Sequence, residues 1–238
     1  MRRPARKGMP QVVGRTSLPR MSVVLLVRHG QASFGTDDYD RLSPRGREQS
    51  RALGTELNRR GIAPARTVTG NMKRQRETAR EASTAAAWHT TDPDIDPGWD
   101  EFNASDLLAA SGEHDPRTKT DSRAFQRLLE RASTRWSSGD HDADYVETFS
   151  AFTARVDASL DRVAEGLERG QTGVVFSSAG AIAWVTARLL GGGFPQWLAL
   201  NRVAVNSGVT KIVIGASGTS LVAYNEHGHL PAPWVTYR

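Results

Sequence analysis

The chain has 238 residues, no cysteine, and 31 Lys plus Arg against 26 Asp plus Glu. That length suits one α/β domain with a full core, and the missing cysteines exclude disulfides, thiolate metal sites and cysteine nucleophiles. Of the net charge of +5, residues 1–20 supply Arg2, Arg3, Arg6, Lys7, Arg15 and Arg20 with no acid, which leaves 25 bases and 26 acids, a net of −1, in residues 21–238.

A body so near neutrality does not support polyanion binding, so no nucleic-acid partner is expected. No apolar run approaches the ~20 residues of a membrane span. The stretch Val23–Val27 is too short for a secretory segment and runs straight into Arg28 and His29. The expectation is a cytoplasmic protein with a solvated basic tail at 1–20, Met21 being an alternative start and the acid-free tail faintly resembling a transit peptide.

Residues 22–27 are continuous, apolar and rich in valine, the pattern of a strand buried on both faces. Ser43-Pro44 reads as an N-cap with proline at the first helical position, and that helix runs to about Arg60, stopped by Gly61 and Pro64. Thr67–Thr69 is a second short strand and Asn71 to about Ala87 a second helix, a strand–helix alternation that implies a parallel sheet covered on both faces. Residues 91–98 read as loop. The polar stretch 103–147 reads as a cap insertion with one helix near Ser122–Trp136, of the kind that shapes substrate access. An amphipathic helix over 149–169 ends at Gly170, Val174–Phe176 is a further buried strand, and a helix over Ala179–Leu190 ends at Gly191–Gly193. Val209–Ile214 and Leu221–Tyr224 close the domain, 21–238, as a hairpin.

In open α/β sheets ligands bind at the carboxyl ends of strands. Three such ends carry polar groups: Arg28-His29-Gly30-Gln31, then Lys73 and Arg74, then Ser177-Ser178-Ala179-Gly180 at the start of a helix. Arginine forks bind phosphate oxygens bidentately, helix N–H groups add donors, and an imidazole can attack phosphorus. The set points to phosphoryl transfer.

The order Arg-His-Gly after a buried N-terminal strand resembles the histidine phosphatase superfamily, the phosphoglycerate-mutase-like proteins. The likeness continues through Leu42-Ser43-Pro44-Arg45-Gly46-Arg47-Glu48-Gln49, through Gly70–Ala79, and through Trp99-Asp100-Glu101-Phe102, and it spans about residues 22–230. It implies a three-layer α/β/α sandwich with a mainly parallel central sheet. It also implies hydrolysis of a small phosphorylated substrate with His29 as the phosphohistidine nucleophile and Glu101 as acid and base. Arg28, Arg74, Ser178 and Gln31 are the expected phosphate-binding residues, with Asp100 the neighbour onto which the Glu101 assignment could slip. No metal and no cofactor are expected.

Two positions depart from the family pattern. Ser178 stands where a second histidine is usual, resembling a branch of the family that carries serine at this turn, and Gly35 stands where an asparagine is common. A hydroxyl brings no positive charge, and losing a charged donor at the transition state costs ~2–4 kcal/mol by analogy with an oxyanion hole. Asn206, His227 or His229 could compensate from the C-terminal segment. Alternative readings are a non-catalytic binding module with an intact pocket and mutase-type phosphoryl transfer. The aspartate triplets Asp92/94/96 and Asp140/142/144 lack the glycine a calcium loop needs, and Phe176 stands where a serine-hydrolase elbow needs its first glycine, so both of those sites are rejected.

Overall fold

The computed structural model describes residues 21–33, 40–89, 92–119 and 121–237, so the basic tail at 1–20 and Gly35 lie outside the described residues. The sheet is built from β1 (Ser22–Arg28), β2 (Arg66–Thr69), β3 (Asp94–Ile95), β4 (Thr172–Ser177), β5 (Val209–Gly215) and β6 (Gly218–Glu226), in the order β3-β2-β4-β1-β5-β6. Strands β1 to β4 are mutually parallel, and the β5–β6 hairpin adds an antiparallel edge against β1. The expected hairpin and mainly parallel sheet are both present.

Alternation along β1 explains the layers. Leu25 and Val27 point into a core with Leu53 and Leu57 of α1 (Pro44–Arg59) and Ala79 and Ala82 of α2 (Lys73–Ala85). Val24 and Leu26 point the other way. There they meet a core shared by α3 (Ala104–Ser111), α4 (Ser122–Ser137), α5 (Phe149–Glu165), α6 (Ala179–Leu189) and α7 (Phe194–Val203). A strand apolar on both sides is thereby buried on both sides, and the three-layer α/β/α sandwich follows. Ser43 caps α1 as its sequence suggests, its Oγ accepting from Gly46 N at 3.0 Å ahead of Pro44.

The structure corrects four sequence expectations. Residues 91–98 are not all loop, because Asp94–Ile95 pairs in parallel with Val68–Thr69 as a two-residue edge strand. The 103–147 stretch holds a second helix, α3, whose N-cap Asn103 and left-handed terminus at Gly112 (φ 64°) bracket one buried residue, Leu107. The glycines at 191–193 end α6 but also start α7, with Pro195 in its first turn, where a missing N–H costs nothing. Helix α5 stops at Glu165, with Gly166 rather than Gly170 at its end.

Segment 103–147 is fastened by aromatic rings. Phe102 lies 5.4 Å from Trp136, 5.6 Å from Trp197 and 5.9 Å from Phe152, centroid to centroid. Each pair is tilted or edge-on, the arrangement aromatic quadrupoles favour. This cluster fixes the backbone beside residue 101 in place. No described helix is long and apolar enough to cross a membrane.

Candidate active site

The carboxyl ends of β1, β2 and β4 open into a cavity of about 650 Å³ whose lining includes Arg28, His29, Asp40, Arg74 and Glu101. His29 sits one residue past β1 in a tightly held turn. Its N–H donates to Ser177 O at 2.9 Å, and its carbonyl accepts from Ser207 N and from Asn206 Nδ2, both at 3.2 Å. Gly30 is required beside it, since a Cβ there would lie 2.4 Å from Gly46 O.

The ring's protonation follows from its neighbours. Nδ1 lies 2.7 Å from Gly30 O, which only accepts, so Nδ1 carries the hydrogen. Nε2 receives a hydrogen bond from Arg74 Nε at 3.1 Å, so it is the unprotonated nitrogen and carries the lone pair. Burial, then the charges of Arg74 and Arg28, push the His29 pKa well below 6.5. The imidazole is neutral at pH 7, and its one in-plane electron pair is on Nε2, where Arg74 holds it.

Arg74 enters from the first turn of α2, with Nη1 bonded to Asp40 Oδ1 at 2.7 Å. Asp40 Oδ2 accepts from Lys73 N at 2.8 Å, so one carboxylate occupies a guanidinium and a helix N-terminal N–H together. Arg28 reaches the carbonyls of Ala204 and Tyr237 through Nη1.

Glu101 approaches from the opposite wall. Its Oε2 accepts from Gly180 N at 3.0 Å and its Oε1 from Phe102 N at 3.2 Å. Burial raises its pKa, opposed by the Gly180 N–H and by the charges of Arg74 and Arg28. The same two guanidiniums therefore act on both His29 and Glu101. Gly180 is needed for this approach, because a Cβ would come within 2.2 Å of Glu101 Oε1. Asp100, the alternative to Glu101, turns away from the cavity to accept from Asn71 N at 2.6 Å.

Two expected phosphate ligands stand elsewhere. Gln31 is drawn to the α1 N-cap, its Oε1 accepting from Ser43 Oγ at 2.9 Å, and it does not line the cavity. Ser178 is fully buried behind the cavity wall, where its Oγ accepts from Gln75 Nε2 at 2.8 Å. It stands at the N-cap position of α6 without bonding the helix, and Glu101 caps Gly180 in its place. His229 bonds Ser207 Oγ at 2.9 Å and His227 bonds Asn225 O at 2.6 Å, and neither lines the cavity.

Sequence reasoning missed the support beneath His29. Gln49 accepts from Gln31 N at 2.8 Å and donates to Thr236 Oγ1 at 2.8 Å, and Thr236 Oγ1 donates to Asn206 Oδ1 at 2.9 Å. This chain ties the 206–207 turn to α1 and to the C-terminal segment. Gln49 closes the Leu42–Gln49 motif, so its presence there was the available signal. Asp40, outside every quoted motif, left none. Among the described residues no group of three or more His, Asp or Glu is placed to hold a metal. A larger groove along α2, about 740 Å³ and flanked by Lys73, Arg76 and Arg80, has no histidine, serine or cysteine among its described lining residues.

Comparison with known proteins agrees with this geometry. The family model described as histidine phosphatase superfamily (branch 1) matches residues 24–227. Among solved structures, phosphoglycerate mutase from Bacillus anthracis is 18% identical, with 89% of this chain and 96% of that chain covered and a TM-score of 0.64. A mycobacterial glucosyl-3-phosphoglycerate phosphatase is 19% identical over 87% of this chain and 99% of its own, TM-score 0.63. A phosphoserine phosphatase mutant from Entamoeba histolytica is 17% identical over 89% and 100%, also at 0.63. At these identities the structures show a shared fold. No curated protein sequence matches the chain.

Proposed function

The chain belongs to branch 1 of the histidine phosphatase superfamily, and on that footing we propose that it hydrolyses phosphomonoesters through a phosphohistidine on His29. The observation that carries this reading is the pair of opposed shifts in one cavity. A histidine is held neutral with Nε2 unprotonated, and a carboxyl is held toward its protonated form. Burial that favours a neutral imidazole and a protonated carboxyl in the same cavity suits a nucleophile and a general acid.

In the first step His29 Nε2 bonds to phosphorus as the P–O bond breaks, and the Glu101 proton passes to the departing alkoxide. Arg28 and Arg74 hold the equatorial oxygens, and positioning plus electrostatics supply most of the acceleration. In the second step Glu101, now a carboxylate, takes a proton from water as that water bonds to phosphorus and the P–N bond breaks. Inorganic phosphate leaves, and His29 keeps its Nδ1 hydrogen throughout. Ser178 acts here as a positioning residue. It holds Gln75, whose Nε2 also donates to Trp99 O at 3.0 Å and so fastens the turn leading to Glu101.

Hydrolysis of phenyl phosphate by wild type and His29→Ala tests the proposal. Turnover that disappears in the variant supports it. Turnover retained in a folded His29→Ala protein removes His29 as nucleophile, and wild-type binding of phosphate without turnover favours the non-catalytic alternative.

A further inference from the structure

His29 Nε2 has one lone pair in the plane of its ring, and Arg74 Nε donates to it at 3.1 Å. Phosphorus has to reach that same pair. The hydrogen bond must therefore break before a P–N bond forms, and the guanidinium must take a new acceptor without leaving the cavity. The acceptor that arrives with a substrate is a phosphate oxygen. Arg74 needs a fixed point while this exchange takes place.

Asp40 supplies one. It lines the same cavity, and its Oδ1 accepts at 2.7 Å from Arg74 Nη1, a different nitrogen from the one on His29. With the Arg74 side chain 10% exposed and that of Asp40 36%, the pair is screened less than an ion pair in open solvent.

The second anchor lies on the helix that carries Arg74. Met72 stands at the N-cap position of α2, and its side chain makes no cap hydrogen bond. Asp40 Oδ2 accepts from Lys73 N at 2.8 Å instead, which places a carboxylate at the positive end of the helix. The two oxygens of Asp40 thus tie the Arg74 guanidinium to the first turn of its own helix.

Resting on the phosphatase reading above, we propose that Asp40 is a positioning residue for phosphoryl transfer. It keeps Arg74 Nη1 in place while Nε passes from His29 Nε2 to an equatorial phosphate oxygen. One turn about the Asp40 contact then frees the nucleophile's lone pair and delivers the cation to the phosphate. Asp40 bonds neither phosphorus nor the leaving group, and no proton moves to it. When inorganic phosphate leaves, Nε returns to His29.

A double-mutant cycle on Asp40 and Arg74 tests this, read both by kcat/KM for phenyl phosphate and by the calorimetric Kd of inorganic phosphate. Asp40→Ala should lower kcat/KM by about 10–100-fold and weaken phosphate binding about tenfold. Its melting temperature should fall by about 2–4 °C with the lost cap. An Arg74→Lys ammonium has no separate fixed nitrogens for Asp40 and phosphate, so in that background Asp40→Ala should change either quantity by less than about threefold. Asp40→Asn keeps one acceptor and should fall between wild type and Asp40→Ala; if Asp40→Ala does not fold, Asp40→Asn completes the cycle. Losses that simply add across the two positions overturn the proposal, because a base acting on water slows turnover whatever stands at residue 74. A folded Asp40→Ala protein with wild-type kcat/KM and phosphate affinity also overturns it, leaving Asp40 as a cap alone. If wild type binds phosphate without turnover, the phosphatase reading fails by itself, and the phosphate cycle still decides whether Asp40 positions Arg74. A wild type that neither binds phosphate nor turns over the ester overturns both.

Discussion

Replacing Glu101 by Gln separates its chemical role from its structural one. The side chain keeps its size, but the amide places an NH2 where one carboxylate oxygen now accepts, either from Gly180 N or from Phe102 N. One buried donor then loses its acceptor, which costs about 1–3 kcal/mol of stability. The chemical loss is larger and depends on the leaving group. An alkyl ester needs its departing oxygen protonated, and loss of general acid catalysis should lower kcat by about 10²–10⁴-fold. An aryl ester with an acidic phenol leaves without help, so its phosphorylation step should fall far less. The assay is pre-steady-state phosphate and phenol release from p-nitrophenyl phosphate beside steady-state hydrolysis of hexyl phosphate. The wild-type pH profile provides a second reading. The rate should rise as His29 loses its proton, below pH 6.5, and fall as pH passes the raised Glu101 pKa. In Glu101→Gln the alkaline fall should vanish. Equal losses for aryl and alkyl esters, with an unchanged pH profile, would refute the assignment of Glu101 as the acid.

Other consequences follow from particular contacts. Arg74→Lys loses the Nε contact to His29 and the planar fork, and kcat/KM should fall about 10²–10³-fold with little change in melting temperature; a loss under threefold would argue against Arg74 as a phosphate ligand. Gly180→Ala puts a methyl 2.2 Å from Glu101 Oε1, so hexyl phosphate hydrolysis should drop as in Glu101→Gln although alanine suits a helix better than glycine; unchanged kcat would show that Glu101 need not sit where it does. Burial, then Arg60, lowers the His229 pKa to about 4, so its depressed folded value costs stability as pH falls from 6.5 toward 4. The full shift corresponds to about 3 kcal/mol. Chemical denaturation of His229→Gln between pH 7 and 4 should show a shallower acid decline than wild type, and parallel curves would contradict this.

The layers were legible because β1 is apolar at every alternate position and at the positions between, which only a doubly covered strand tolerates. The candidate site was legible because a strand end, a histidine and two arginines converge by topology. What escaped were features decided across the chain. Helix α3 is short and mostly half-exposed, with one buried residue to signal it, and β3 forms because β2 offers an edge rather than because Asp94-Ile95 favours a strand. Gln31 and Ser178 sit at strand ends as ligands would, but Ser43 and Gln75 engage their side chains from elements far away in sequence. Their position in the chain could not show that competition. Glu101 as the cap of α6 was hidden for the same reason, since the local serine at residue 178 looks like a sufficient cap.

The central claim is a covalent bond between phosphorus and His29 Nε2. Rapid acid-free quenching of the protein with p-nitrophenyl phosphate, followed by mass spectrometry of the peptide containing His29, measures it directly. The account predicts a phosphorylated histidine that is stable in alkali, lost in acid, absent from His29→Ala and more abundant in Glu101→Gln, where the attacking water lacks its base. Turnover with no modification of His29 at any time point, in either wild type or Glu101→Gln, would contradict it.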